Sequence, residues 1–231
     1  NYCRVLFLEF ANLITNFYNA NFERSGDDWE VKAQFSYYVN QEEVINQGVG
    51  LRIHGGQTRK LPSKSLRIYA RSEHGGSSLD YPFFEDVPDE SFKRLILRNS
   101  GNDFSTTYFL DAFIHKSVNH LNFETQAYQP TITFLNGEYW GILNMRERYD
   151  KHYFKRIYNI DEEEIDHIEI GGGYEAKEGD LNHYLALIDF VETNTLTTDE
   201  NYNYIITQLD PENYADYHIT EIYINNLDWM H

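Results

Sequence analysis

Residues 127–147, AYQPTITFLNGEYWGILNMRE, place Asn136-Gly137 between two strand-like runs. Asn-Gly supplies the two consecutive positive φ angles of a type I′ turn, so this stretch is committed to a tight antiparallel hairpin. Upstream, WEVKAQFSYYV sets Trp29, Val31, Ala33, Phe35, Tyr37 and Val39 at alternate positions, the period-two pattern of a half-buried strand. CRVLFLEF, VGLRIH, KSLRIYA and KRLILRN read as further strands, and residues 72–90, rich in Gly, Ser, Pro and acids, read as a loop.

Helical spacing enters beside and after the hairpin. In YFLDAFIHKSVNHL, Phe109, Phe113, Ile114, Val118 and Leu121 share one face, with Ser105-Thr106-Thr107 as the predicted cap. DKHYFKRIY predicts a helix, and DLNHYLALIDFVETN gathers Leu181, Tyr184, Leu185, Ile188 and Val191 on one face. PENYADYHITEIYINN predicts a last helix with Pro211 in its first turn. Asp161–Glu164 read as a solvated helix start, where acids suit the dipole, and IEIGGGYEAKEGD as a flexible loop lacking phosphate-loop spacing. Strands first and helices later predict an α+β architecture, without repeats or heptads.

A formal charge of −18 on 231 residues disfavours a general nucleic-acid or anionic-membrane binder, so any anion must be bound locally. The single cysteine, Cys3, excludes an internal disulfide framework, and no apolar run is long enough for a transmembrane helix. Without a starting Met or a leader pattern, and with a final NNLDWMH that reads like the middle of something, the chain is expected to be an excerpt. Nine scattered His without an H-E-x-x-H pair, and no G-x-S-x-G, remove the usual supports of zinc and serine hydrolases. Nineteen Tyr fit either strand and helix faces or a sugar-stacking platform.

Against this acidic background, LRIHGGQTRKLPSKSLRIYAR (51–71) carries six Arg and Lys and no carboxylate, and the acid-free window runs from Val44 to Ser72. A strand, glycine turn and strand bearing Arg52, His54, Arg59, Lys60, Lys64 and Arg67 can bring cations and backbone N–H groups onto one anion. Alternation puts Lys64 on the face of Leu66 and Ile68, and Ser65, Arg67 and Tyr69 on the other. An inward lysine needs a partner, unless its stem packs while its head reaches out or pairs with a structural Glu. Asp228, two positions after Asn226, reads as a cap or turn residue or as a catalytic carboxylate.

Four blocks in order, VGLRIHGGQTRKLPSKSLRIYAR, FKRLILRNSGND, LNGEYWGILNMRERYDKHYF and ITEIYINNLDWMH, resemble the CotH family of spore-coat-type protein kinases, in its bacterial secreted branch. The resemblance runs from about Asn21 to His231. It implies one divergent protein-kinase-like domain over 1–231, a strand-rich lobe over 1–147 and a helical lobe over 148–231, with ATP and Mg2+ or Mn2+ between them. It implies that Lys64, Arg59, Arg52, Gly55 and Gly56 meet the nucleotide phosphates, that Glu147 contacts nucleotide, and that Asp228 is the catalytic aspartate. Carboxylates would repel a polyphosphate by roughly 4 kcal/mol per close pair, which accounts for the acid-free window. The family's metal-binding Asn and Asp are expected beyond His231, and Arg98 and Asp103 are motif residues of structural or functional role. The implied activity is ATP-dependent phosphorylation of Ser or Thr in a secreted or spore-coat protein, outside the cell or on the spore surface. The partners are a nucleotide and a protein, with no nucleic acid and no membrane span. The chain departs from ordinary kinases in having no G-x-G-x-x-G, H-R-D or D-F-G. A catalytically inactive pseudokinase and a structural or carbohydrate-binding surface module are the alternatives.

Overall fold

The computed structural model describes residues 4–10, 22 and 24–229; Cys3, with which the first predicted strand begins, lies outside them. The chain divides into two compact units, Asn1–Lys116 with Gln126–Arg148, and Ser117–Thr125 with Tyr149–His231. The class is α+β, as the order of periodicities predicts.

The first unit is a closed barrel. Its strands are β1 (Arg4–Phe10), β2 (Val31–Val39), β3 (Glu42–His54), β4 (Ser65–Ala70), β7 (Arg94–Arg98), β9 (Glu138–Glu147) and β8 (Tyr128–Leu135), in that spatial order. Six junctions are antiparallel. An odd number of strands cannot close a ring that way throughout, so the seventh junction, β1 with β8, is parallel, with Val5 opposite Ile132. All seven strands are legible in the sequence but the closure is not, because a parallel pairing between strands so far apart in the chain leaves no local trace.

Alternation fills the barrel. Leu6, Leu8, Phe35, Tyr37, Val49, Ile68, Leu95, Leu97, Leu143 and Met145 are fully buried inside it. Residues 72–90 are not simply a loop: β5 (Leu79–Asp80) pairs with β6 (Ser91–Phe92), and between them Phe83 packs 5.2 Å from the Tyr37 ring and 5.7 Å from Phe92. Apolar burial of Leu79, Phe83 and Phe84 overrides the turn-rich composition. The β8–β9 hairpin has Asn136 at φ 49° and Gly137 at φ 81°, with Leu135 opposite Glu138, the predicted type I′ turn. Helix α1 (Leu110–Val118) falls inside its predicted range.

In the second unit, α2 (Lys151–Tyr158) is capped by Asp150, whose side chain accepts from the backbone of His152 and Tyr153. The Asp161–Glu164 run forms one 3-10 turn over Glu162–Glu164, and the glycine-rich stretch after it is a hairpin, β10 (His167–Ile170) with β11 (Tyr174–Glu178), rather than a flexible loop. Helices α3 (Asn182–Thr193), α4 (Asp199–Gln208) and α5 (Pro211–Tyr223) follow, α5 starting at Pro211 behind the Asp210 cap. Of these, α4 has no counterpart among the predicted helices. Among the described residues no helix is long and apolar enough to cross a membrane.

Candidate functional site: a basic face on the barrel

The inward alternation of β3, β4, β7 and β9 fixes what points outward. Leu51, Leu66, Ile68, Leu95, Leu97 and Met145 take the interior. Arg52, His54, Arg67, Tyr69, Arg94, Ile96, Arg98 and Arg146 therefore share the outer face, with Arg52 directly opposite Arg67 and Tyr69 opposite Arg94. Like charges in register repel, so this face needs countercharge.

One end receives it from Glu30, which precedes the acid-free window. Its carboxylate takes Arg71 Nε at 2.8 Å and Nη2 at 2.7 Å, and Arg52 Nε at 2.8 Å and Nη2 at 2.6 Å. Asp27 is a second partner of Arg52. Burial alone would raise the Glu30 pKa, but hydrogen bonds from Arg71 and Arg52 outweigh it and hold the carboxyl below its ordinary range. Gly50 makes room: a Cβ there would stand 2.0 Å from the Glu30 carboxylate. The Tyr69 ring lies beneath four guanidinium groups, Arg52 at 4.4 Å, Arg71 at 5.0 Å, Arg148 at 5.4 Å and Arg94 at 5.5 Å.

Asp111 of α1 serves the other end, 2.9 Å from the fully buried Arg146 and 3.4 Å from Arg98. Between them stands His54. Burial, then Arg67, Arg98, Arg148 and Arg59 around it, pushes the imidazole down to about 3, so it is neutral. Its Nδ1 accepts from Arg67 Nε at 2.8 Å.

The glycine turn folds onto itself. Gly55 has φ 101°, and a Cβ there would meet Thr58 Oγ1 at 2.3 Å, so the bend requires glycine. Gly56 is exposed and leads into a 3-10 turn over Gln57–Lys60. Arg59 donates to the carbonyl oxygens of Gly55, Arg24, Phe22 at 3.1 Å and Ile53 at 2.8 Å. Lys64 Nζ donates to Arg59 O at 2.7 Å and Leu61 O at 2.6 Å, and sits 4.5 Å from the Phe22 ring centre. Desolvation lowers its pKa. Lys64 precedes β4, and its head turns back onto the turn instead of following Leu66 and Ile68 into the barrel; backbone carbonyls are its partner, not a carboxylate.

Glu147 lies in the barrel wall, with Oε2 accepting Ala127 N at 3.3 Å. Asp103 caps α1, accepting from Thr106 Oγ1, Thr107 N at 3.0 Å, Thr107 Oγ1 at 2.7 Å and Leu110 N at 2.9 Å. Burial opposes its ionisation, yet these bonds win and hold it far below the usual carboxylate range. Asp228 belongs to the second unit, exposed in the turn after α5, with its N–H donating to Asn226 Oδ1 at 3.0 Å and the neighbouring Trp229 ring 5.2 Å from His218. The structure thus gathers Gly55, Gly56, Arg59 and Lys64 in one turn and Arg52 beside it, with Asp228 on the other unit. Sequence reasoning missed Glu30 and counted His54 among the cations gathered on the anion, whereas the structure makes it a neutral acceptor for Arg67.

Among the described residues no group of three or more His, Cys, Asp or Glu is placed to hold a metal ion. A family model described as CotH kinase protein matches residues 51–231. A search of curated proteins finds no match.

Proposed function

The chain belongs to the CotH kinase protein family, and from that premise we propose that it is an ATP-dependent kinase that phosphorylates Ser or Thr of a secreted or surface protein. The barrel unit and the helical unit are taken as the two lobes of a divergent kinase-like fold. The observation that carries the reading is the basic outer face of β3, β4 and β7 in a chain of net charge −18. Such a face concentrates cations where the phosphates of a nucleotide need them, and the rest of the surface repels other polyanions.

In this reading the acceptor hydroxyl oxygen attacks the γ-phosphorus, the bond to the β–γ bridging oxygen breaks, and ADP leaves. Asp228 orients the hydroxyl and takes its proton. Asp228 is exposed in a turn beside Trp229, where a protein substrate can approach it. The donor set of the basic face fits phosphate oxygens; among the described residues no three His, Cys, Asp or Glu gather to hold a metal ion, and no step is assigned to one.

Incubation with γ-labelled ATP, Mg2+ or Mn2+ and candidate protein acceptors tests the proposal. Asp228→Ala is expected to lower transfer by at least about 100-fold while nucleotide binding stays within a few-fold. Equal transfer by the variant removes Asp228 from the mechanism. Nucleotide binding without transfer by the unaltered protein favours a pseudokinase.

A further inference from the structure

We propose that Arg67, aimed by His54, is the side chain of the basic face that grips the nucleotide phosphates, and that Arg52, Arg59 and Lys64 build the wall behind it. This assignment rests on the kinase reading and sharpens it to one residue.

The cations of the glycine turn and of the face beside it differ in where their donors go. Arg59 directs its guanidinium at four backbone carbonyls, and Lys64 directs two ammonium hydrogens at two more. Arg52 is bound by Glu30 and Asp27. These three cations hold the turn and the start of the face together, and using them for a ligand would undo that structure. Arg67 differs. Its Nε is taken by the neutral Nδ1 of His54 at 2.8 Å, and among the described residues no carboxylate pairs with it. It stands opposite Arg52 on one side and Ile96 on the other. Arg67 lines a small cleft with Arg24, Ser25, Gly26 and Trp29, whose other walls are Arg52, Ile53 and Arg59.

Among the described residues the cleft is lined by four arginines and no carboxylate, and Arg52 alone of them is held by acids behind it. The chain carries 37 Asp and Glu, yet among the described residues none lines this cleft. His54 accepts from Nε and so leaves the two Nη groups of Arg67 for a ligand, a planar fork suited to two phosphate oxygens. A carboxylate in the place of His54 would orient the fork equally well but cancel its charge.

The test is calorimetric titration of the full chain with ATP, with inorganic tripolyphosphate and with adenosine. Arg67→Gln is expected to weaken ATP and tripolyphosphate by roughly tenfold or more, with adenosine unchanged. Exposed Lys116→Gln, on α1, is expected to stay within about twofold. Melting curves establish that each variant is folded. Arg67→Lys keeps the charge, loses the fork and is expected to fall between. For the positioning role, His54→Leu is expected to weaken tripolyphosphate about three- to tenfold and His54→Asn to restore it, because the Asn oxygen can take the place of Nδ1. Arg67→Gln within twofold of the unaltered protein for tripolyphosphate overturns the assignment and leaves the kinase reading standing. So does a larger loss in folded Lys64→Met than in Arg67→Gln. Tripolyphosphate binding that depends on Arg67, with ATP no tighter and adenosine not bound, keeps the phosphate site and overturns the kinase reading. No tripolyphosphate binding by the unaltered protein overturns the inference itself.

Discussion

Glu30 is the residue on which the charge balance of the outer face turns. It is one carboxylate against two arginines, and it reaches them only because Gly50 has no side chain. Glu30→Gln keeps the shape and removes the charge, leaving Arg52 with only the exposed Asp27 and directly opposite Arg67. The expected loss is about 2 kcal/mol, less than for a fully buried pair because Arg71 is partly solvated, measured as a lower urea midpoint at unchanged slope. In an Arg67→Gln background the same substitution is expected to cost less, since the like-charge pair is already gone. The sign of the pH dependence follows from the direction of the shift. A carboxyl held below its ordinary value adds stability that is complete above the unfolded-state value near 4.5 and is lost as the pH falls through the folded-state value. The acid limb of the unaltered protein is therefore expected to be steeper below pH 4.5 than that of Glu30→Gln. None of this was legible from residues 51–71, because an acid-free window says only that no carboxylate lies within the window. The neutralising one came from residue 30.

At the scale of elements, the most legible segments are those whose structure is decided by neighbours in the chain. Asn136-Gly137 fixes a turn whose φ values of 49° and 81° are those the dipeptide favours. Gly137→Ala is expected to cost about 1 kcal/mol from strain at positive φ alone, since a Cβ there meets nothing within 4 Å, and a melting curve reads the loss directly. Helix α1 is subtler. Ser105-Thr106-Thr107 is the predicted cap, but the two threonine hydroxyls donate to Asp103, and it is Asp103 that accepts the N–H groups of Thr107 and Leu110. The carboxylate can reach them because Ser100, Gly101 and Tyr108 all take positive φ. Asp103→Ala is expected to cost about 2 kcal/mol, near the upper limit for a helix cap, and Asp103→Asn less, read as lower urea midpoints. The elements missed or misread have weak local signals. NYNYIITQ in α4 is rich in residues of low helix propensity, and the GGG of the β10–β11 hairpin resembles a linker. Their structure comes from packing and pairing.

For the molecule as a whole, a net charge of −18 and a concentrated basic face pull in opposite directions, and salt separates them. Simple salt screens the general self-repulsion and is expected to stabilise the chain modestly. A bound polyanion adds a different term, RT ln(1 + [L]/Kd), about 2.7 kcal/mol when the ligand is at 100 times Kd, provided only the folded barrel binds it. For a chain of this size that corresponds to a rise of roughly 5–10 °C in the barrel's melting temperature. Tripolyphosphate is therefore expected to raise that temperature well beyond sodium chloride of equal ionic strength, and Arg67→Gln to reduce the difference to that of screening alone. An equal rise in both proteins would mean that the polyanion acts through bulk screening or through other arginines of the face. The Glu30 and Asp111 carboxylates at the two ends make the second outcome unfavourable, because each draws its neighbouring arginines away from a ligand. In the middle of the face, around His54, the described residues place no such competitor on Arg67.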